Sequence, residues 1–288
     1  MELKYKEKMN DIKIKAPAKI NLSLQVLNKR QDGFHNINSI FVPIYNLYDE
    51  IEISKSSSLE FNCNVDLGIS NEKNIAYKAA KMMIEKYKLS PNFKLNLIKQ
   101  IPSGGGLGGG SSDAASVIKG LCKYYNLDLD FPELLSIAEQ LGSDVPFFIG
   151  DSAAIVQGRG EILEFIDFEI PYEIVIIAPN FGISTAKAYQ KLNKQESNDT
   201  LIIDYHSAIP KILTDPKQMK NYFVNDFVHN DMEHYKEINK IINILYENGA
   251  IYSNMSGSGS CCYGIYLEAV NINSLENSFP SEYKCMKV

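Results

Sequence analysis

No two cysteines in this 288-residue sequence stand at C-x-x-C spacing, and the five present (Cys63, Cys122, Cys261, Cys262 and Cys285) are odd in number. That argues against a disulfide framework or a structural zinc site and points to reduced, packed thiols. Positive charge is also short: 29 Lys and Arg face 35 Asp and Glu, for a net charge of -6. Such a balance gives no general attraction to a phosphate backbone, so no nucleic-acid partner is expected, although a locally positive pocket can still hold a charged metabolite. No window approaches the ~20 apolar residues of a membrane span. The opening MELKYKEKMNDIKIK carries scattered charges and lacks the apolar stretch of a signal peptide. A cytoplasmic chain with no membrane partner is the expectation.

What is present is ordinary for a globular protein: 45% hydrophobic and 22% charged residues. The length lies where one core tends to split into two. From Ile12 to Val26 every second residue is apolar, the pattern of strands with one buried face, and the opposite parity carries Lys19 and Asn21 together. Pro17 cannot donate to a ladder, which predicts either two strands or one edge strand with a break near it. Asp32-Gly33 marks a turn, and short strands are expected in INSIFVPIYNLYDEIEI and LEFNCN. Apolar spacing predicts helices over 74–87, 112–125 and 131–141, the last closed by a left-handed Gly142. Further on come a hairpin in AAIVQGRGEILEF, a strand in PYEIVIIAP and a helix capped by Ser184. The polar stretch 193–215 is expected to be irregular. An amphipathic helix closed by Gly249 and a strand, glycine loop and strand in IYSNMSGSGSCCYGIYL complete the chain.

The densest signal is IPSGGGLGGGSSDAAS, where six of 18 glycines fill seven positions. A Gly/Ser run is commonly a flexible linker. Here, however, a strand pattern (FKLNLIKQIP) precedes it and a helical one (SSDAASVIKGLCKYY) follows. Helix N-termini carry unpaired N–H groups and partial positive charge, and glycines let the backbone approach phosphate oxygens, so strand, glycine loop and helix form a phosphate site. No lysine follows the glycines as in a Walker loop, the protein-kinase V-A-I-K, H-R-D and D-F-G elements are missing, and a Rossmann fingerprint fits only loosely.

PAKINL at 17–22, PSGGGLGGGSSD at 102–113 and SGSGSC at 256–261 resemble, in that order, the three motifs of the GHMP kinase superfamily. PAKINLSL, DGFHNINSIF, GGGLGGGSSDAA, LGSDVPFF and GRGE narrow the resemblance to its 4-diphosphocytidyl-2-C-methyl-D-erythritol kinase family, over about Ile14 to Gly264. The resemblance implies an α+β, two-domain GHMP kinase fold. Its N-terminal ATP-binding domain, of mixed sheet and helices, would cover 1–165; a C-terminal domain of helices on an antiparallel sheet would cover 166–288, with the active site in the cleft between.

It implies ATP and magnesium (Mg2+) as cofactors, and phosphorylation of the 2-hydroxyl of 4-diphosphocytidyl-2-C-methyl-D-erythritol, a small-molecule substrate on the non-mevalonate route to isoprenoid precursors. No obligate protein partner is implied. Asp144, in LGSDVPF, takes the family's general-base position, and Lys19 that of its catalytic lysine. The residue before a proline is biased toward extended backbone, which would place Asp144 in such a segment. ATP would lie on Pro102, Ser103, Gly104, Gly105, Gly106, Leu107, Gly108, Gly109, Gly110, Ser111 and Ser112. A hydroxyl of Ser111 or Ser112 could meet phosphate or the metal. Asn74 matches a position near the nucleotide base and equally suits the N-cap of its helix. Asn21, Phe34, His35 and Tyr189 match the acceptor's side, with Phe34 where many relatives have tyrosine. The SGSGSC loop would buttress the glycine loop or acceptor site, or be a plain hairpin turn. Two alternatives stand beside this reading: another small-molecule GHMP kinase, of homoserine or mevalonate type, and a catalytically silent ATP-binding module.

Overall fold

The computed structural model describes residues 10–192, 201–229 and 232–288. The signal-peptide reading of residues 1–9 and the first part of the 193–215 stretch fall outside them. Along the chain run β1 (Ile12–Lys29), β2 (His35–Lys55), β3 (Glu60–Cys63), α1 (Ile75–Tyr87), β4 (Phe93–Ile98), α2 (Gly109–Tyr125), α3 (Phe131–Glu139), β5 (Ala153–Gly158) and β6 (Ile162–Ile166). They are followed by β7 (Glu173–Ala178), α4 (Thr185–Lys191), α5 (Tyr205–Thr214), α6 (Met219–Tyr222), α7 (Glu233–Glu247), β8 (Tyr252–Met255), β9 (Cys262–Tyr266), α8 (Ile272–Glu276) and β10 (Lys284–Lys287). The chain forms two compact units, one from residues 1–18, 45–101 and 108–151, the other from 19–44, 102–107 and 152–288.

In the first unit β4 lies antiparallel to the second half of β2, with Ile51 opposite Leu97 and Ile53 opposite Leu95. β3 joins β4 in parallel. Phe93, Leu95 and Leu97 alternate inward and are fully buried, as period-two patterning requires. Gly120 lets α2 approach the sheet closely: a Cβ there would lie 2.8 Å from Ile53 Cδ1 and 3.2 Å from Ile14 Cδ1.

In the second unit the first half of β2 pairs antiparallel with β5, and β5 with β6. A separate antiparallel sheet runs β10-β7-β9-β8, with α7 packed on β8 and β9. β7, one of its two inner strands, is buried from Ile174 to Ala178, consistent with the continuous apolar run IVIIA. Tyr252 and Tyr263, on β8 and β9, are fully buried and donate to the carbonyls of Leu22 and Asn21 at 3.0 Å each. These bonds fix the middle of β1, and burial raises the pKa of both phenols above the ordinary tyrosine range.

Several local expectations need correction. Pro17 causes no break: β1 is one strand that pairs with β2, and the missing N–H is tolerated because, among the described strands, β1 pairs with β2 alone. β2 is a single strand rather than several short ones. α2 begins at Gly109, not Ser112, because Gly108 takes the left-handed conformation (φ 71°) as N-cap and its carbonyl accepts from Ser112 N at 2.9 Å. α3 ends at Glu139 with right-handed Gln140 after it, so Gly142 is not the left-handed closure. Within 193–215 the described part holds α5, where Asp204 caps the helix and Tyr205, Ala208 and Ile212 share its buried face despite Pro210. Gly249 does close α7 with φ 93°, and all five cysteines are free thiols.

Candidate active site

β1 brings the polar parity of its sequence into the interior. Lys19 and Asn21 are each only 3% exposed, and Ser23 and Gln25 are buried beside them. Lys19 Nζ donates to Asn21 Oδ1 and sits 4.4 Å from the centroid of the Phe41 ring, a placement that favours a cation. Asn21 Nδ2 donates to Ser39 Oγ at 3.1 Å, which fixes its amide orientation. The backbone of the same residues is tied to the glycine loop, since Lys19 N donates to Leu107 O at 2.9 Å.

A second tie runs through one hydroxyl. Ser256 Oγ accepts from Asn21 N at 3.2 Å and donates to Gly106 O at 2.8 Å. Cys261 N donates to Gly105 O at 3.0 Å. The SGSGSC loop therefore buttresses the glycine loop and β1 at once. That loop is itself held by Asn225, whose Nδ2 donates to Met255 O at 2.7 Å and to Gly257 O at 2.9 Å. Cys261 Sγ stands where a Cβ on Gly105 would go, and burial pushes its thiol up to about 12, so it is a protonated packing group at neutral pH. Ser256→Ala should cost about 1–3 kcal/mol, because a buried amide donor and a part-buried carbonyl acceptor both lose their partner. Urea unfolding measures it, and a cost near zero would contradict the relay.

Within the glycine loop Gly104, Gly106 and Gly108 have φ of 72°, 81° and 71°, conformations that side chains disfavour. A Cβ on Gly104 would meet nothing within 4 Å, so the backbone there borders open space. In the first unit Gly109 and Gly110 open α2, and Gly110 faces Ile75, its absent Cβ 3.5 Å from Ile75 Cδ1. Asn74, immediately before Ile75, accepts from Ala76 N at 2.9 Å and is 7% exposed, so it is the N-cap of α1. Ser111 is half-buried. Ser112 Oγ is fully buried and has no hydrogen-bond partner among the described residues.

Asp144 is half-buried in a turn before a short 3-10 segment, Pro146–Ile149. Its neighbour Val145 is right-handed helical (φ -64°, ψ -42°) rather than extended, because its amide closes a turn onto Gly142 O at 3.2 Å. His35 and Tyr189, the residues that the resemblance assigns to the acceptor, stack at 5.2 Å between centroids and 22° between planes, and Phe227 meets Tyr189 edge-on at 4.9 Å. Phe34 is not brought into that stack; it is 52% exposed, with the Arg159 guanidinium 5.4 Å from its ring centroid.

Sequence reasoning missed a buried group at the base of the glycine loop. Lys99 Nζ bridges Asp49 and Asp113, with Asp113 Oδ2 at 2.7 Å. Burial works against the charge on Lys99, but the two carboxylates outweigh it and hold its pKa above the usual lysine value. Burial drives the Asp113 carboxyl well above the carboxylate range, only partly opposed by Lys99. Nothing in the local pattern separates Asp49 from Glu50 and Glu52 beside it. Asn225 was also missed, having no motif of its own.

The model of the GHMP kinases N terminal domain matches residues 74–158, and that of the GHMP kinases C terminal domain matches 226–285. A 4-diphosphocytidyl-2-C-methyl-D-erythritol kinase of Acetivibrio thermocellus is 39% identical over 262 residues, covering 90% of this chain and 91% of the relative. One of Syntrophomonas wolfei is 36% identical over 279 residues, covering 95% and 96%. A crystal structure of 4-(cytidine 5'-diphospho)-2C-methyl-D-erythritol kinase superposes with a TM-score of 0.80 at 27% identity, covering 96% of this chain and 98% of that one. Homoserine kinase from Cytophaga hutchinsonii, at 14% identity and a TM-score of 0.71, shares the fold. With identity at this level along nearly its whole length, the chain belongs to the 4-diphosphocytidyl-2-C-methyl-D-erythritol kinase family of the GHMP kinases.

Proposed function

We propose that the chain transfers the γ-phosphoryl group of ATP to the 2-hydroxyl of 4-diphosphocytidyl-2-C-methyl-D-erythritol, in the cytoplasm, on the non-mevalonate route to isoprenoid precursors. The observation that carries this reading is the junction at Ser256, where one hydroxyl fastens Asn21 of β1 to Gly106 of the glycine loop. Residues suited to an acceptor alcohol and a backbone suited to phosphate are thereby held in fixed register. Phosphoryl transfer asks for little more, because its catalysis is mostly positioning and charge stabilisation.

In this reading residues 102–112 hold the triphosphate, through glycine amides and the unpaired N–H groups at the start of α2. Asp144 accepts the proton of the 2-hydroxyl, the hydroxyl oxygen forms the new bond to the γ-phosphorus, and the bond from that phosphorus to the β,γ-bridging oxygen breaks to release ADP. Lys19 supplies positive charge to the developing anion, and Asn21 orients the alcohol. His35 and Tyr189 offer flat rings to the cytosine, with Phe34 at the rim. Asn74 lies toward the nucleotide base. The orphaned hydroxyl of Ser112 suits magnesium, which needs few protein ligands and, when bound with ATP, neutralises charge on the β- and γ-phosphates. The two family domains divide near 165/166.

The test is to mix purified protein with Mg-ATP and the cytidyl substrate and follow the products by phosphorus NMR. One new phosphomonoester, on the tertiary 2-hydroxyl, is the expected outcome. Phosphate on another hydroxyl, faster turnover of homoserine or mevalonate, or ATP binding without transfer would each overturn the reading.

A further inference from the structure

The two ends of the glycine loop meet on one buried ammonium. Beyond β4, where strand pairing has ended, Lys99 N donates to Asn64 Oδ1 at 2.7 Å; at the entry to the loop, Asp49 Oδ1 then accepts from the next two backbone amides, Gln100 and Ile101, the latter at 2.8 Å. Lys99 Nζ donates to the other oxygen of the same carboxylate. At the exit, Lys99 Nζ donates to Asp113 Oδ2 in α2 at 2.7 Å. The start of α2 rests on the same atoms: a Cβ on Gly109 would be 3.2 Å from Lys99 Nζ and 3.3 Å from Asp49 Oδ2. Side chains of Lys99, Asp49 and Asp113 are 7%, 0% and 3% exposed, so solvent does not loosen the arrangement.

A buried ion group is a weak device for stability alone, since well-packed apolar residues of similar volume serve as well or better. What it offers is direction: hydrogen bonds fix angles and distances that apolar contact leaves adjustable. Everything between Ile101 and Gly109 is the loop itself, rich in glycines that gain conformational freedom once released.

We propose that Lys99 is a positioning residue, clasping the entry and exit of the glycine loop through Asp49 and Asp113 and so setting the affinity for the ATP triphosphate. The proposal rests on the reading that this loop holds that triphosphate. It differs from the tie through Ser256, which acts at the loop's middle.

The experiment compares the full chain with Lys99→Met, Asp113→Ala and Asp113→Asn, by steady-state kinetics for both substrates and by equilibrium binding of Mg-ATP. In Lys99→Met and Asp113→Ala the KM and Kd for ATP rise about tenfold or more, while kcat and the KM for the alcohol substrate stay within about twofold. Asp113→Asn keeps an acceptor for the ammonium and restores ATP affinity to within about threefold of the parent. A merely structural role would lower active protein without splitting the two KM values. Unchanged ATP affinity in Lys99→Met, or parallel rises in both KM values, overturns the clasp. Should Lys99→Met not fold, the Asp113 pair decides: equal ATP affinity in the Ala and Asn forms overturns it, and a gap supports it. A parent protein that binds no Mg-ATP instead overturns the phosphate-loop reading itself.

Discussion

Asp144→Asn is expected to lower turnover by about 10²–10⁴-fold, the contribution of a positioned general base, while Mg-ATP binds as tightly as before. Asparagine keeps the volume and one acceptor of aspartate but cannot take the hydroxyl proton. Neighbouring residues hold the backbone at the site: Val145 and Phe148 close successive turns, and Phe147, Phe148 and Ile149 are buried beneath them. The loss therefore falls on kcat rather than on folding. Lys19→Ala lowers turnover in the same direction, with one difference. Lys19 donates to Asn21 Oδ1, so its removal also loosens Asn21 and raises the KM of the alcohol substrate. An ADP-release assay with both substrates varied separates the two patterns, and turnover within a few-fold of the parent in either variant would remove the assignment.

Much of this arrangement was legible in the sequence, for identifiable reasons. The glycine run was informative because it lies between a period-two and a helical pattern, and the structure places β4 and α2 there. Strand parity put Lys19 and Asn21 on one face. It did not reveal that this face is buried, because the cover comes from residues far along the chain. Tyr205 OH donates to Asn38 O at 3.0 Å and is hydrogen-bonded to Ser23 Oγ at 2.9 Å, and Gln25 Oε1 accepts from Ile203 N at 2.8 Å. Such contacts have no local signature. The helix that carries Tyr205 was hidden by Pro210, although Tyr205, Ala208 and Ile212 keep helical spacing. Lys99 and Asp49 escaped notice for a related reason. A lysine after a strand and an acid within one are ordinary surface features, and their burial depends on where α2 begins. That start was itself misplaced by three residues, since a left-handed glycine can open a helix as effectively as a serine cap.

Gly106→Ala should be the most damaging single-methyl change in the loop, and Gly104→Ala provides the control. Both residues have positive φ, 81° and 72°, so alanine at either is disfavoured by about 1–2 kcal/mol from backbone conformation alone. They differ in surroundings. At Gly104 a Cβ meets nothing within 4 Å, whereas at Gly106 it would overlap the Ser256 carbonyl oxygen and lie 2.9 Å from the Ser256 carbonyl carbon. Those are backbone atoms, held by the Asn225 amide on either side of Ser256, and they cannot swing away as a side-chain end would. Overpacking of this kind adds roughly 1–3 kcal/mol. Relief would require Gly106 O to leave Ser256 Oγ, which breaks the relay to Asn21. Gly106→Ala is therefore expected to lose about 3 kcal/mol or more of stability and over tenfold in both ATP affinity and kcat, whereas Gly104→Ala loses about 1–2 kcal/mol. Urea unfolding and ATP titration on the two proteins read these effects separately. Equal behaviour of the pair would mean that the Ser256 loop does not bear on Gly106, and would remove the junction from which the phosphoryl-transfer reading was built.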